Sequence, residues 1–302
     1  MATPRFRAGP VRVSPPATSA NLGPGFDSLG LALALYDDVE VQVTGGGLVV
    51  EVTGEGADEV PRTEEHLLVR AMRLGFDALG GQPAGLRLRC HNRIPHARGL
   101  GSSSAAIVGG LVAARGLVTD GAARLDDAAI LALATSIEGH PDNVAACLHG
   151  GLTIAWTEDG VGRAVRLDPA DGLGTVVYVP QHRALTATAR GLLPRQVPHA
   201  DAAANAARAA LLIHAITADP ALLLPATEDR LHQEYRAEAM PLSLELVHAL
   251  RKRGVPAVIS GAGPTVLAFD TGGRELPEAV DGFQVCPLAV DTGGAIAQLT
   301  GV

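Results

Sequence analysis

Between Ile94 and Val112 the chain runs Ile94-Pro95-His96-Ala97-Arg98-Gly99-Leu100-Gly101-Ser102-Ser103-Ser104-Ala105-Ala106 straight into Ile107-Val108-Gly109-Gly110-Leu111-Val112. Glycines let a backbone turn sharply and approach a ligand, and the alanine-rich apolar run behind them predicts a helix over 102–118. A helix starting there presents unpaired N–H groups and the positive end of its dipole, which together make an anion site. Consecutive serines add hydroxyls that can meet phosphate oxygens or ligate a metal. A bare Gly-Leu-Gly-Ser would read as a serine-capped helix, but one cap leaves two of these serines unexplained. The loop contains no G-x-S-x-G, so a hydrolase nucleophile elbow finds no support.

Lys252 is the chain's only lysine, within Arg251-Lys252-Arg253 at the expected end of a helix, where a cation suits the C-terminal dipole. The lysines of a Walker-A loop and of a protein-kinase ATP site are therefore missing, with their surrounding motifs. Phosphate binding must rest on backbone amides, a metal ion and arginines. A net charge of -8 gives no electrostatic footprint for nucleic acid or an anionic membrane. Cys90, Cys147 and Cys286 are widely spaced and odd in number, which predicts buried free thiols and a reducing, cytoplasmic setting. Arg5, Arg7 and Arg12 reach Pro15-Pro16 before any apolar stretch, and no run approaches a membrane span, so neither export nor insertion is expected.

Alternation predicts strands at Val11–Ser14, Val39–Val43, Leu48–Val52 and Leu86–Arg89, with a helix over 64–79 between the last two. Helices over 127–138 and 143–149 follow the glycine-serine loop, then a strand pair near 152–156 and 163–167. After a polar Asp168–Gly172 break come a strand at 175–180, helices over 201–217 and 242–252, and strands near 257–260, 265–269 and 283–290. Such layering is α+β, either one compact unit or two joined domains with a soft boundary near residue 170.

Three further segments carry candidate chemistry. In Pro16-Ala17-Thr18-Ser19-Ala20-Asn21-Leu22-Gly23-Pro24-Gly25-Phe26-Asp27, a Gly-Pro-Gly turn could aim Asn21 and Asp27 into one cleft. Spacing alone favours Asn21 as a turn residue and Asp27 as a helix N-cap. In Ile137-Glu138-Gly139-His140-Pro141-Asp142-Asn143-Val144, Glu138 sits where the dipole would prefer a cation, which suggests a use such as holding Mg²⁺. Asp142 and Asn143 could equally cap the next helix, and His140 could be a loop residue. Val258-Ile259-Ser260-Gly261-Ala262-Gly263-Pro264-Thr265-Val266-Leu267 reads as strand, glycine turn and strand, able to line a site or to form a plain hairpin.

Taken in this order, the glycine-rich segments resemble the motifs of the GHMP kinase superfamily across essentially the whole chain. The strings from Thr18 to Asp27 and from Glu138 to Ala145 resemble its homoserine kinase branch in particular. The resemblance implies an N-terminal β-α-β domain with a left-handed crossover over 1–170 and a ferredoxin-like domain over 171–302, with the site between them. It implies that the loop formed by Pro95, Arg98, Gly99, Leu100, Gly101, Ser102, Ser103, Ser104 and Ala105 cradles ATP phosphates, with Ser103 and Glu138 holding Mg²⁺. Asn21 and Asp27 then match residues at the acceptor hydroxyl, and Asp142 with His140 the amino-acid side of the pocket, where Asp142 could act as the base or bind the substrate ammonium. Thr186, Arg190 and Arg236 match the clamp on the substrate carboxylate, and Gly261 and Gly263 the turn beside it. The implied reaction is ATP-dependent phosphorylation of L-homoserine, by an enzyme that could be a homodimer. Another GHMP kinase acting on mevalonate or a sugar, a silent metabolite-binding regulator, and a serine hydrolase are the competing readings. Two departures stand out: no lysine can pair with an aspartate base, and His66-Leu67-Leu68 replaces the Asn-Leu-Val common near the adenine.

Overall fold

The computed structural model describes residues 3–182, 190–272 and 275–299, so Thr186 and Thr188 lie outside the described residues. Strands β1 (Val11–Val13), β2 (Pro16–Ala20), β3 (Leu29–Tyr36), β4 (Asp38–Thr44) and β5 (Gly47–Gly54) lead into α1 (Leu67–Leu79) and β6 (Gly85–Asn92). The glycine-serine loop then opens α2 (Ser102–Leu117), followed by α3 (Gly121–Arg124), α4 (Asp127–Glu138), α5 (Asp142–His149) and the hairpin β7 (Leu152–Glu158) and β8 (Val161–Leu167). Beyond β9 (Gly174–Pro180) come α6 (His199–Thr217), α7 (Leu223–Ala226), α8 (Pro241–Lys252), β10 (Ala257–Ile259), β11 (Val266–Asp270), β12 (Phe283–Ala289) and β13 (Ala297–Leu299).

Among the described residues three sheets form, in the orders β13-β1-β4-β6-β5, β2-β3-β7-β8 and β10-β11-β9-β12. In the first, β5 and β6 run parallel, joined through α1, while the third is antiparallel throughout. The fold is α+β, as the alternation implied. Strand β4 buries Val39 and Val41 and turns Glu40 and Gln42 outward, the period of a half-buried strand. By contrast β3 is buried on both faces over Leu29–Leu33, so its apolar run shows no alternation.

Glycines set the closest helix contacts. A Cβ on Gly110 of α2 would lie 2.5 Å from the Leu68 carbonyl of α1, and one on Gly75 only 3.0 Å from the Ala114 methyl. The two helices therefore pack nearly backbone to backbone and bury Leu68, Met72 and Phe76 of α1 against Leu111 of α2 and the first sheet. The same core continues through β9, α6 and β11, and β13 returns the end of the chain to β1. Burial pushes the Cys90 thiol up to about 12 and that of Cys147 well above its usual range, which leaves both inert. Among the described residues no helix is long and apolar enough to cross a membrane.

Candidate active site

The glycine-serine loop enters α2 through Gly101, which is left-handed at φ 71 and serves as the N-cap without any side-chain cap bond. The expected serine cap is thus corrected. Ser103 and Ser104 instead donate to Glu138 Oε1, at 2.8 and 3.3 Å, across to the end of α4. No side chain then caps the start of α2, and its first residues Ser102 and Ser103 line the cleft, where the amides of a helix start suit an anion. Both loop glycines are sterically required: a Cβ on Gly99 would overlap the Ser260 carbonyl and one on Gly101 would overlap Thr18 Oγ1.

A second wall is the Asn21–Asp27 turn. Asn21, Leu22 and Asp27 all take positive φ, at 68, 49 and 53, a conformation that costs non-glycine residues energy and clusters at functional sites. Asp27 is not a helix cap, because the segment behind it continues into β3. Asn21 spans the turn, accepting from the Asp27 N–H at 2.9 Å and donating to the Gly261 carbonyl at 2.8 Å. Gly261 in turn donates its N–H to Ala20 at 3.0 Å, and the Ser260 hydroxyl donates to the Gly99 carbonyl at 2.6 Å. The three glycine-rich segments are therefore stitched into one surface.

The third wall comes from α4 and α5. Buried Asp142 accepts from the Asn143 N–H at 2.8 Å and from His140 Nδ1 at 2.6 Å. That hydrogen bond holds the His140 imidazole above its ordinary range. A Cβ on Gly30 of β3 would overlap the Asp142 carbonyl, so the strand beneath must be bare there.

The cleft is lined by Asn21, Asp27, Gly99, Gly101, Ser102, Ser103, Glu138, His140, Asp142, Arg190, Arg236 and Gly261, together with Ala97, Asn143 and Ala262. Arg190 grips Asp27 with both terminal nitrogens at 2.8 Å, and this pairing raises its already high pKa. Arg236 is 1% exposed and stacks over the Phe26 ring at 5.3 Å. Six of the expected residues do not line the cleft. Arg98 turns away, donating to the Pro180 and Gln181 carbonyls at 2.9 Å each, and Pro95 lines that outer surface with it. Gly263 packs against Met240 behind the turn, and Leu100 is buried in the core. Ser104 and Ala105 sit buried in the first turn of α2.

Thr18 stands inside the first string with no role expected for it, and Asn143 was expected only as a possible helix cap. The Thr18 hydroxyl donates to Asn143 Oδ1 at 2.7 Å and joins the second wall to the third. Asn205, a buried amide in an alanine-rich helix, donates to the Pro24 carbonyl at 2.8 Å. Its isolation among alanines was the available signal.

The donor set at Glu138 fits a magnesium ion. Mg²⁺ takes hard oxygens, commonly one or two from the protein and the rest from phosphates and water. Glu138 and Ser103 supply a carboxylate and a hydroxyl beside the amide cradle. Next to the same loop a second, mostly apolar cavity of about 330 Å³ shares Ala97, Ser102 and Ser103 with the cleft and is lined by His66, Leu68 and Cys90. His66 is 6% exposed and neither ring nitrogen has a partner among the described residues. Desolvation lowers its pKa.

A glycine-lined helix start, an acid at the end of the neighbouring helix and a substrate cleft closed by a glycine turn define a small-molecule phosphotransferase of the GHMP type. The family described as GHMP kinases N terminal domain matches residues 66–151. The homoserine kinase of Streptomyces coelicolor is 65% identical over 283 residues, covering 93% of this chain and 92% of its own. That of Mycobacterium tuberculosis is 50% identical over 287 residues, covering 91% and 90%. The crystal structure of homoserine kinase from Cytophaga hutchinsonii superposes with a TM-score of 0.84 at 25% identity, over 99% of this chain and 100% of that one. The mevalonate kinase of L. major, at TM-score 0.66 and 16% identity over 97% of this chain and 100% of its own, shares the fold. The chain belongs to the homoserine kinase family of the GHMP kinases.

Proposed function

We propose that this enzyme transfers the γ-phosphoryl group of ATP to the side-chain hydroxyl of L-homoserine, giving O-phospho-L-homoserine for threonine biosynthesis in the cytoplasm. The observation that carries this reading is one cleft holding an amide cradle for phosphate, a carboxylate–hydroxyl pair for a metal, and two arginines beside two carboxylates for an amino acid. Residues 1–170 contribute the nucleotide side and residues 171–302 contribute Arg190, Arg236 and the glycine turn. The adenine takes the apolar cavity at His66, which opens onto the phosphate loop.

Arg190 and Arg236 bind the substrate carboxylate, together with Thr186, which lies outside the described residues. Asp142, steadied by His140, takes the ammonium. Asn21 and Asp27 hold the hydroxyl in line with the γ-phosphorus. As the new O–P bond forms, the bond to the bridging oxygen breaks, ADP leaves with that electron pair, and Asp27 receives the hydroxyl proton. The transition state is loose, so positioning and charge stabilisation supply most of the rate. Mg²⁺, held by Ser103 and Glu138, would neutralise the β- and γ-phosphates. Two copies of the chain could cover the solvent-facing side of the β7–β8 hairpin, where Trp156, Val161 and Val165 share one face.

Coupled ADP release with homoserine, mevalonate and galactose as acceptors tests the reading. Turnover on homoserine well above the others is expected. Background rates on homoserine would overturn it.

A further inference from the structure

His232 lies at the junction of the acceptor-side elements and is completely buried. Its Nε2 is 2.8 Å from the Gly23 carbonyl and its Nδ1 is 3.2 Å from Arg236 Nη1. A carbonyl oxygen only accepts and a guanidinium nitrogen only donates, so the two contacts together fix the tautomer. The proton is on Nε2, the Nδ1 lone pair faces Arg236, and the ring is neutral.

We infer that His232 is a positioning residue for homoserine binding: its Nε2–H tautomer aims the Arg236 guanidinium at the substrate carboxylate while anchoring the Asn21–Asp27 turn through Gly23. The inference rests on the assignment of Arg236 to that carboxylate. A neutral acceptor suits the task. It orients the guanidinium without cancelling its charge, as a carboxylate partner would, and so preserves the attraction for an incoming anion. Phe26, from the same turn, completes the packing, with its ring 5.1 Å from the imidazole and 5.3 Å from the Arg236 guanidinium carbon.

Among the described residues, Asp229, Arg236 and Asp27 bring charge to the ring. Asp229 is itself engaged, accepting from the N–H groups of Leu231, His232 and Gln233 at 3.0, 3.1 and 2.8 Å, and its nearer oxygen is 3.7 Å from Nε2. Desolvation lowers the pKa of His232 and favours the neutral ring. A proton on Nδ1 would set donor against donor at Arg236.

Two measurements test this on the full chain. In ¹⁵N-histidine-labelled protein at pH 7.5, His232 is expected to carry its proton on Nε2 alone. A proton on Nδ1, or on both nitrogens, would overturn the inference without any substitution. Kinetically, an asparagine amide reaches the place of Nδ1 and can offer its oxygen to Arg236, whereas a glutamine amide reaches the place of Nε2 and serves only Gly23. His232→Gln should raise KM for homoserine about tenfold with the effect on KM rather than kcat, while His232→Asn should restore it to within about threefold. Equal increases in the two variants, or a loss confined to kcat, would sink the idea. Arg236→Met separates the two assignments: an unchanged homoserine KM would remove Arg236 from the carboxylate site and leave the tautomer result standing.

Discussion

Arg190 and Asp27 meet as a planar fork on a carboxylate, Nη1 to Oδ2 and Nη2 to Oδ1, each at 2.8 Å. The proposed reaction gives them opposite ends of the substrate. A homoserine carboxylate arriving at Arg190 competes for the same fork, so engagement of one end releases the acid that must meet the hydroxyl at the other. Their side chains are 44% and 35% exposed, so the pair itself should contribute no more than about 1 kcal/mol to stability. Asp27→Asn is expected to lower kcat/KM by at least about 100-fold while moving the unfolding free energy by less than about 1 kcal/mol. Steady-state kinetics beside urea unfolding checks this. An activity loss that merely tracks lost stability would count against the assignment.

Glu138 offers the next test. Glu138→Gln keeps the side-chain shape and an acceptor for Ser103 but removes the charge that a metal requires. The Mg²⁺ concentration for half-maximal rate should rise about 10- to 100-fold, with a smaller rise for Ser103→Ala. Magnesium titrations at saturating ATP measure it. Unchanged Mg²⁺ dependence in Glu138→Gln would show the metal to be held elsewhere.

Much of this arrangement was legible because backbone chemistry leaves marks in sequence. Strands buried on one face alternate, so β4, β5 and β6 could be read directly, and the glycine-serine loop announced a helix start. What stayed hidden depended on tertiary surroundings. The run Leu29–Leu35 is strand β3, untyped by pattern because both its faces are covered. Asp27 looked like a cap since the same Gly-Pro-Gly turn can precede a helix; its φ of 53 and the strand behind it arise from packing. Arg98 carried the expected charge in the expected loop, yet the carbonyls of Pro180 and Gln181, 82 and 83 residues away, take its guanidinium. No local spacing reports such a partner. His66 was visible only as a departure from a resembling pattern, and the meaning of that departure needed its burial.

His66 is a buried imidazole with neither nitrogen partnered among the described residues, at the edge of an apolar cavity. An unsatisfied buried polar group costs about 1–3 kcal/mol, which a base edge offering a donor or acceptor would recover. His66→Phe is therefore expected to stabilise the nucleotide-free protein by about 1 kcal/mol and yet raise KM for ATP severalfold. Thermal unfolding without nucleotide, set against ATP kinetics, decides the matter. A variant that is both less stable and unchanged toward ATP would place the ring in the core rather than at the base.

The same ring carries a pH signature. Desolvation lowers the pKa of His66 and of His232 below the ordinary 6.5, so both are neutral in the fold where the unfolded chain would already take up protons. The sign follows from proton counts: the unfolded state binds more protons below 6.5, so their contribution is complete above that pH and is lost as pH falls toward the folded pKa values. Each histidine adds up to about 1.4 kcal/mol per pH unit in that window. His140 acts oppositely, since its raised pKa gives a contribution complete below 6.5 and lost as pH rises through the folded value. The wild-type curve mixes both signs, so a difference between proteins is the cleaner measurement. Urea unfolding at pH 7.5, 6.5 and 5.5 should show a shallower acid-side loss of stability in His66→Phe than in the wild type. Parallel slopes would mean that His66 titrates normally in the fold and that its nitrogens are solvated.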